Sequence, residues 1–175
     1  MAVPNIPGLY YFEDYVSGIC DPSQLLANVL AAVDLKPIGS AKSRRVAHYG
    51  RSYSYSNGKL GDAPVIPDLL DGLANDVDIT AEITFDQLIV NEYKNGHAIA
   101  PHIDSRLFGP VIACISLGAP TKVVFERGCE KKTIDIATGS MYVMTGDARY
   151  LWTHSIRHSG APRCSLTYRT VIQAH

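Results

Sequence analysis

From about residue 82 onward, the chain is a series of short segments rich in β-branched and aromatic residues. Turn signals such as Asn95-Gly96 and Gly146-Asp147 separate the segments, and no helical period lies between them. Short strands at this spacing predict an antiparallel sandwich or barrel and disfavour a fold of alternating strands and helices. The predicted strands are 85–93, 111–117, 122–125, 133–136, 140–144 and 165–172.

The first 80 residues have a different pattern, which predicts helices. Asp21 is suited to cap a helix over 21–33 because Pro22 follows it at the first helical position. The apolar positions of this helix recur with helical spacing at Leu25, Leu26, Val29, Leu30 and Val33. A second, short helix is predicted over 67–74, with its inward face formed by Leu69, Leu70 and Leu73.

Between the two predicted helices lies an aromatic segment, 48–55, with the sequence H-Y-G-R-S-Y-S-Y. Its aromatic residues recur at every second position, and the turn pair Asn57-Gly58 follows it. This pattern predicts a hairpin or an ordered flap with one aromatic face. Taken together, the patterns predict one α+β domain over 1–175, in which 1–80 forms helices and the flap and 81–175 forms an all-β catalytic half.

Composition excludes several classes of protein. The 16 Lys and Arg residues nearly balance the 17 Asp and Glu residues, which argues against a strongly electrostatic grip on nucleic acid but leaves a local basic patch open. No apolar run approaches the roughly 20 residues of a membrane span, and residues 1–10 have no secretory pattern. Zinc-finger and redox spacings are absent from the four cysteines. We therefore expect a cytoplasmic monomer with reduced thiols.

Chemistry first becomes visible at His102 and Asp104. On an extended segment, residues two apart point to the same side, so an imidazole and a carboxylate converge. With one more distant histidine they would form the facial triad of non-haem iron oxygenases, which leaves open positions on the metal. His154 is the best candidate for that third ligand, since it follows a predicted strand and turn. The alternatives are a surface His102 hydrogen-bonded to Asp104, and a His154 that packs at the edge of the core.

Two arginines, Arg163 and Arg169, lie six residues apart in R-C-S-L-T-Y-R, an extended segment that overlaps the last predicted strand, and so share one of its faces. Buried guanidinium groups are costly unless they meet carboxylates, and their planar forks match a dicarboxylate. Arg45 and Arg51 have the same spacing, so the signal is the apolar strand around the pair and not the spacing itself.

These motifs occur in one order along the chain, beginning with N-E-Y at 91–93, H-I-D at 102–104 and S-L-G at 116–118. The stretch M-Y-V-M-T-G-D-A-R-Y-L-W-T-H follows and ends at His154, and R-C-S-L-T-Y-R closes the set. In this order and at these distances, residues 44–171 resemble the AlkB family of iron(II)- and 2-oxoglutarate-dependent dioxygenases.

The resemblance implies a double-stranded β-helix, or jelly-roll, with iron(II) bound at its open end by His102, Asp104 and His154. It also implies a 2-oxoglutarate site, in which Arg163 meets the distal carboxylate, formed by Asn91, Tyr93, Ile99, Ser116, Arg163 and Arg169. The implied chemistry uses dioxygen to convert 2-oxoglutarate to succinate and CO2 while a C–H bond is hydroxylated. On an N-methyl group, the hydroxylated product loses formaldehyde.

Repair-type members of the family hold an extruded base between an aromatic side chain and a metal-ligating histidine. Candidate substrate contacts here are Tyr49, Tyr53, Tyr55, Arg106, Arg149 and Trp152. For each tyrosine the alternative is ordinary cross-strand packing. Further candidates, which could contact phosphates or form a solvated loop, are Arg44, Arg45 and Arg51.

The residues directly after H-I-D, Ser105-Arg106-Leu107-Phe108, contain no carboxylate, whereas repair-type members have acidic groups there. The residues of the motifs are most similar to those of the branch that hydroxylates wobble uridines in tRNA. Members of that branch carry additional RNA-binding and methyltransferase domains, which do not fit within 175 residues. We therefore expect a dioxygenase that demethylates or hydroxylates a modified base of DNA or RNA. The alternatives are the same chemistry on a protein side chain or small molecule, and a non-catalytic jelly-roll binding module.

Overall fold

The computed structural model describes residues 5–39 and 43–172. Two α-helices lie in these ranges, α1 (Pro22–Ala32) and α2 (Gly146–Tyr150), together with a 3-10 helix, Val16–Gly18. The strands that start before residue 100 are β1 (Leu9–Phe12), β2 (Lys36–Pro37), β3 (Arg45–Tyr49), β4 (Arg51–Tyr53), β5 (Leu60–Asp62), β6 (Gln87–Tyr93) and β7 (Ala98–His102). The later strands are β8 (Phe108–Gly118), β9 (Thr121–Arg127), β10 (Glu130–Ile136), β11 (Met141–Met144), β12 (Thr153–Arg157) and β13 (Arg163–Val171).

Two antiparallel sheets form the body of the fold. The larger has seven strands in the order β1-β11-β8-β13-β6-β3-β2, and the smaller has four in the order β10-β9-β12-β7. One apolar cluster contains Ile112 and Tyr142 from the larger sheet together with Phe125 and Ile134 from the smaller, so the sheets pack face to face. This is the predicted double-stranded β-helix, and all six predicted strands are present within it.

The other face of the seven-stranded sheet is also covered. Along β13, Cys164, Leu166 and Tyr168 point away from the smaller sheet and pack against Leu25 and Val29 of α1. Because both faces of the sheet are buried, its central strand β8 is a nearly continuous run of apolar residues, whereas its neighbours β6 and β13 also carry buried polar residues. The polar residues that do occur on the inner face are therefore informative.

Helix α1 begins and ends close to the predicted bounds. The Asp21 side chain accepts hydrogen bonds from the backbone nitrogens of Ser23 and Gln24, as expected for an N-cap. Of the predicted apolar stripe, Leu25, Val29 and Val33 are buried, whereas Leu30 at its edge is 39% exposed. The described residues contain no helix of the length and apolarity needed to cross a membrane.

The predicted helix over 67–74 was wrong, because the structure has turns there. The Pro67 carbonyl accepts from the nitrogens of Leu70 and Asp71, which forms one turn only. Gly72 then adopts a left-handed conformation with φ of 69°, which does not continue a right-handed helix. Leu70 and Leu73 are buried as predicted, whereas Leu69 is exposed.

The aromatic segment forms the predicted hairpin, in which β4 pairs with β5 around the Asn57-Gly58 turn. Gly50 separates this hairpin from β3 with φ of 70°, and a Cβ atom at Gly50 would lie 2.0 Å from the Asp86 carbonyl oxygen. Tyr49 precedes this break and is buried in the core with α1, while Tyr53 follows it in the hairpin. The aromatic residues of the segment therefore do not share one face.

Several strands lie outside the six that the sequence predicts. Strands β1, β2 and β3 precede residue 80 and join the seven-stranded sheet beside the predicted strands. Strands β7 and β12 belong to the smaller sheet, where β7 is an edge strand that contains Pro101. Proline is tolerated at a sheet edge because its missing N–H faces away from the partner strand. These last two strands position the histidines of the site.

Candidate metal and cosubstrate site

Strand pairing brings the two distant histidines together. In the antiparallel pair of β7 and β12, His102 is directly opposite His154, and a register irregularity follows between His154 and Ile156. The centroids of the two imidazole rings are 4.3 Å apart. Asp104 lies two residues beyond the end of β7, on the loop that leads to β8. The two histidines, 52 positions apart in the sequence, are thus brought together by one pair of strands.

The three side chains form a compact donor set, in which one ligand atom from each lies within 4.8 Å of the others. The Nε2 atom of His102 is 3.8 Å from Oδ1 of Asp104, and Nε2 of His154 is 4.0 Å from Oδ2 of the same carboxylate. These separations are longer than hydrogen bonds. They leave room for one metal ion between the donors.

Both histidines turn Nε2 toward the Asp104 carboxylate. Nδ1 of His102 lies 2.9 Å from the Ala100 carbonyl, and because a carbonyl can only accept, Nδ1 carries the proton. Burial of His154, together with the nearby His102 and the cations Arg169 and Arg149, lowers its pKa to about 3 although Asp104 opposes the shift. The neutral imidazole is the form that ligates a metal.

Asp104 is a buried carboxylate, 7% exposed, with one oxygen satisfied and one not. Its Oδ1 accepts a hydrogen bond of 2.8 Å from Arg169, whereas its Oδ2 has no hydrogen-bond partner among the described residues. Burial would raise its pKa, but the charge of Arg169, with smaller contributions from His154, His102 and Arg149, outweighs burial, and the pKa lies below its ordinary value. An ionised, buried oxygen directed at His154 fits a divalent cation.

Arg149 holds the loop that carries Asp104. This side chain, 1% exposed, donates hydrogen bonds to four carbonyls, those of Asp104 (2.9 Å), Ser105 (2.7 Å), Phe108 (3.2 Å) and Gly109 (3.3 Å). It lies on α2, directly before the strand that carries His154. Its guanidinium therefore links the Asp104 loop to the other half of the site. The sequence placed Arg149 among the substrate contacts, but it does not line the cavity described next.

A cavity of about 340 Å³ opens beside the donor set. Nine of the residues predicted for the site line it, namely Tyr53, Tyr55, Asn91, Tyr93, Ile99, His102, Asp104, His154 and Arg169. Tyr93 is fully buried, and burial raises its pKa, so the phenol keeps its proton and can donate to an anion. A wall that combines cations, hydrogen-bond donors and apolar residues is suited to a small anionic ligand.

Arg163 and Ser116 were also predicted to hold the cosubstrate, and they lie behind the cavity wall. Nε of Arg163 donates to Ser116 Oγ at 3.0 Å, and its guanidinium carbon is 5.1 Å from the centroid of the Tyr93 ring. The two terminal nitrogens of Arg163 are buried and have no hydrogen-bond partner within the described residues. A buried fork of this kind fits a carboxylate group that reaches past Tyr93.

Comparisons with known proteins agree with this geometry. The family model of the 2OG-Fe(II) oxygenase superfamily matches residues 28–169. The Alkylated DNA repair protein ALKBH8 homolog of Arabidopsis thaliana is 34% identical over 185 residues, which cover 88% of this chain and 52% of that protein. The chain belongs to the AlkB family of 2OG-Fe(II) oxygenases. The predicted family is therefore confirmed.

A second AlkB-family relative, the tRNA (carboxymethyluridine(34)-5-O)-methyltransferase alkbh8 of Xenopus tropicalis, is 32% identical over 161 residues, or 86% of this chain and 25% of its own length. The chain thus spans about half or less of the length of these curated relatives. The solved structure of OsALKBH1 has a TM-score of 0.74 at 15% identity and covers 94% of this chain and 97% of that one, which confirms the fold. The matched region is the domain of a 2-oxoglutarate-dependent dioxygenase, a class of enzyme that uses iron(II), 2-oxoglutarate and dioxygen.

Besides Arg149, three further predicted substrate contacts of this AlkB-family protein lie away from the cavity. Tyr49 is buried in the core beside α1, and Trp152 is buried between the sheets, where Lys132 lies 5.0 Å from its ring centroid. Arg106 is exposed on the loop after Asp104. Tyr53 and Tyr55 are the predicted tyrosines that do line the cavity, because they follow the sharp change of direction at Gly50.

The arginine pair at 44–45 is divided between the two sides of its strand. Arg45 forms an ion pair with Glu92 at 2.6 Å, and Arg51 forms an exposed ion pair with Asp62 at 3.0 Å. Arg44, in contrast, is 7% exposed and lines the cavity. The sequence suggested phosphate contact or a solvated loop for all three residues. Side chains of an extended segment point alternately to its two faces. Extending the alternation of residues 45–49 back by one position would have placed Arg44 on the face opposite to Arg45.

Proposed function

We propose that His102, Asp104 and His154 bind iron(II), and that the protein uses it with 2-oxoglutarate and dioxygen to hydroxylate or oxidatively demethylate a modified base of DNA or RNA. The observation that supports this most directly is the buried Asp104 carboxylate, whose Oδ2 lacks a partner among the described residues and lies 4.0 Å from His154 Nε2. Arg169 meets only Oδ1, and a buried carboxylate oxygen left without a partner is costly unless a cation or donor reaches it.

The cosubstrate site is formed by residues of the seven-stranded sheet together with Ile99 of β7 in the smaller sheet. Arg163 is suited to the distal carboxylate of 2-oxoglutarate, while Asn91, Tyr93 and Arg169 are suited to the groups nearer the metal; Ile99 and Ser116 complete the site. When bound, the iron and its cosubstrate supply the oxidation, in which 2-oxoglutarate, O2 and a C–H bond give succinate, CO2 and a C–OH group. The protein residues hold these groups in place and exclude water from them.

The form of the cavity supports a single extruded base as the group that is oxidised. A volume of about 340 Å³ is at the small end for ligand sites, and a polymer could place only one unit in it beside the cosubstrate. Tyr53 and Tyr55 provide aromatic surface on the hairpin side of the cavity. His102, one of the three metal donors, also lines it. The names of both curated relatives refer to DNA or tRNA.

A second candidate is the same chemistry on a protein side chain or small molecule. It is favoured by the net charge of −1 and by the pairing of Arg45 and Arg51 with acidic side chains, which weakens any contact with phosphates. A non-catalytic binding module is less well supported, because the complete donor set is present at the cavity.

The test is succinate formation from 2-oxoglutarate by the iron(II)-loaded protein in air, with modified oligonucleotides, modified nucleosides, peptides or no addition. Stimulation by an oligonucleotide, with formaldehyde or a hydroxylated base as product, supports the proposal. Stimulation by peptides or nucleosides alone favours the second candidate. We expect Asp104→Asn to abolish succinate formation, and Asp135→Asn, which alters an exposed ion pair with Lys122, to leave it unchanged.

If the wild-type protein forms no succinate, an anaerobic titration with Mn(II) separates a metal site without activity from no metal site at all. If Mn(II) binds and the binding requires Asp104, the proposed metal site stands but the proposed oxygenase activity is rejected. No binding would contradict the whole proposal.

A further inference from the structure

Arg44 is a buried cation of the cavity wall that the proposed function does not use. Its guanidinium lies between two groups, since Nε is 2.6 Å from Oδ1 of Asn91 and Nη2 is 3.3 Å from the hydroxyl of Tyr55. The guanidinium carbon also lies 5.3 Å from the centroid of the Tyr55 ring. Arg44 thus contacts an amide and a phenol, and both partners line the cavity.

The contact with Asn91 determines which end of the amide faces which neighbour. A guanidinium can only donate hydrogen bonds, so the oxygen of Asn91 must face Arg44. The amide nitrogen then faces the opposite side, where Nδ2 lies 3.3 Å from Oγ of Ser165. A serine hydroxyl can donate or accept, so Ser165 accepts either orientation of the amide. Of these two neighbours, Arg44 is the one that selects the orientation.

This orientation matters because the proposed cosubstrate is a dianion. Asn91 is directly opposite Ser165, and two residues along the same face Tyr93 is directly opposite Arg163. With its nitrogen turned away from Arg44, Asn91 presents an N–H donor on the face that also carries Arg163 and Arg169. In the reverse orientation it would present a carbonyl oxygen, which repels a carboxylate.

The second contact of Arg44 connects the hairpin to the same region. The ring of Tyr55 packs edge-on against Tyr53 at 5.4 Å, and Tyr53 packs against Phe108 at 5.5 Å. The guanidinium carbon of Arg169 in turn lies 4.5 Å from the centroid of the Phe108 ring. The hairpin is therefore held on one side by Arg44. On the other side it packs on Phe108, which contacts Arg169, the residue that donates to Asp104.

We propose that Arg44 is a positioning residue, which orients the amide of Asn91 toward 2-oxoglutarate and holds Tyr55 of the hairpin against the cavity. This rests on the proposed function, since it requires that Asn91 contact the cosubstrate. The same side chain thereby links the cosubstrate site to the aromatic wall offered to the substrate.

The test measures binding of 2-oxoglutarate to the Mn(II)-loaded protein without dioxygen, by titration calorimetry. Arg44→Met removes the donor, and we expect it to raise the Kd about tenfold, as Asn91→Ala does. Because both act through one contact, the double variant should be no weaker than Asn91→Ala alone. Arg44→Lys retains a donor and should stay within about threefold of the wild type. Asp135→Asn, which alters only the exposed ion pair with Lys122, should leave the Kd unchanged.

The hairpin contact has its own readout, which is hydrogen exchange of the amides of residues 51–62. We expect faster exchange in Arg44→Met and in Tyr55→Phe, and no change in Asn91→Ala. If Arg44→Met does not fold, Arg44→Lys takes its place in this hydrogen-exchange measurement. A lysine cannot contact the Asn91 amide and the Tyr55 ring at the same time.

The outcomes separate this inference from the proposed function. If the wild type binds and consumes 2-oxoglutarate but Arg44→Met has the wild-type Kd, or the effects of Arg44→Met and Asn91→Ala add in full, the positioning role of Arg44 is rejected and the function stands. If the metal-loaded wild type binds no 2-oxoglutarate, the proposed function fails, and the inference fails with it.

Discussion

Replacement of Arg149 by methionine tests how the fold holds the metal-binding carboxylate. The guanidinium donates to four carbonyls of the 104–109 loop, and its carbon lies 4.7 Å from the centroid of the Tyr150 ring. Methionine has a similar length and can fill part of the volume, but it donates no hydrogen bond. The four carbonyls would then lose their partner inside the protein, where water reaches them poorly.

The expected loss of stability follows from the four distances. The bonds at 2.7 and 2.9 Å are short and charge-assisted, and the bonds at 3.2 and 3.3 Å are weaker. With about 1.5 kcal/mol for each short bond and about 0.5 kcal/mol for each long one, the free energy of unfolding should fall by about 4 kcal/mol. Arg149→Lys keeps a charge but not the fork, and we expect about half of this loss.

Urea unfolding monitored by circular dichroism measures the change, and an anaerobic Mn(II) titration measures its effect on the site. Because Arg149 bonds the Asp104 carbonyl directly, the metal should bind at least tenfold more weakly in Arg149→Met. Arg127→Met is the matched control, since Arg127 forms an ion pair with Asp147 of α2 at 3.2 Å but is exposed. A loss below about 1 kcal/mol in Arg149→Met, or an equal loss in Arg127→Met, would refute the reasoning.

The remaining predictions concern separate parts of the molecule. Mn(II) at a hundred times its Kd should stabilise the wild type by about 2.7 kcal/mol in thermal unfolding, and Asp104→Asn should abolish this stabilisation. Burial, with smaller contributions from Arg169 and Arg44, lowers the pKa of His48 from 6.5 to about 4, so the unfolded chain binds this proton first as the pH falls. Folded stability should therefore decrease between pH 6.5 and 4, by at most about 3 kcal/mol from this residue, and the difference between wild type and His48→Gln in urea titrations should shrink over that window. Gly50→Ala should cost about 2 kcal/mol or more and increase proteolysis of the hairpin, because of the positive φ and the Cβ contact with Asp86. Trp152→Phe should lower the melting temperature but leave the KM of any substrate unchanged. A raised KM at unchanged stability would show instead that Trp152 contacts the substrate.

Much of the fold was predictable because its signals are local. Six strands, helix α1 and the hairpin turn follow from apolar patterns, a capping aspartate and turn residues, which act over a few neighbouring positions. The pattern was insufficient where one residue overrides it. Gly72 ends the predicted helix over 67–74 after one turn, and Gly50 turns the chain so that Tyr49 and Tyr53 face different surroundings.

Strands β7 and β12 were not predicted as strands because neither carries a simple apolar alternation. Strand β7 contains Pro101, and β12 reads T-H-S-I-R. Their pairing depends on long-range hydrogen bonds, which leave no periodic trace in the sequence.

By itself, the sequence determined the chemistry that the protein can carry: the order of its motifs indicated the family, the metal donors and the arginines of the last strand. Only the tertiary structure decided which side chains reach the cavity. Side chains such as Arg44, Arg149 and Trp152 are equally plausible as contacts in the linear chain, because their local surroundings are polar or mixed. Packing of the two sheets then directs Arg44 to the cavity wall, Arg149 to the loop carbonyls and Trp152 to the core between the sheets.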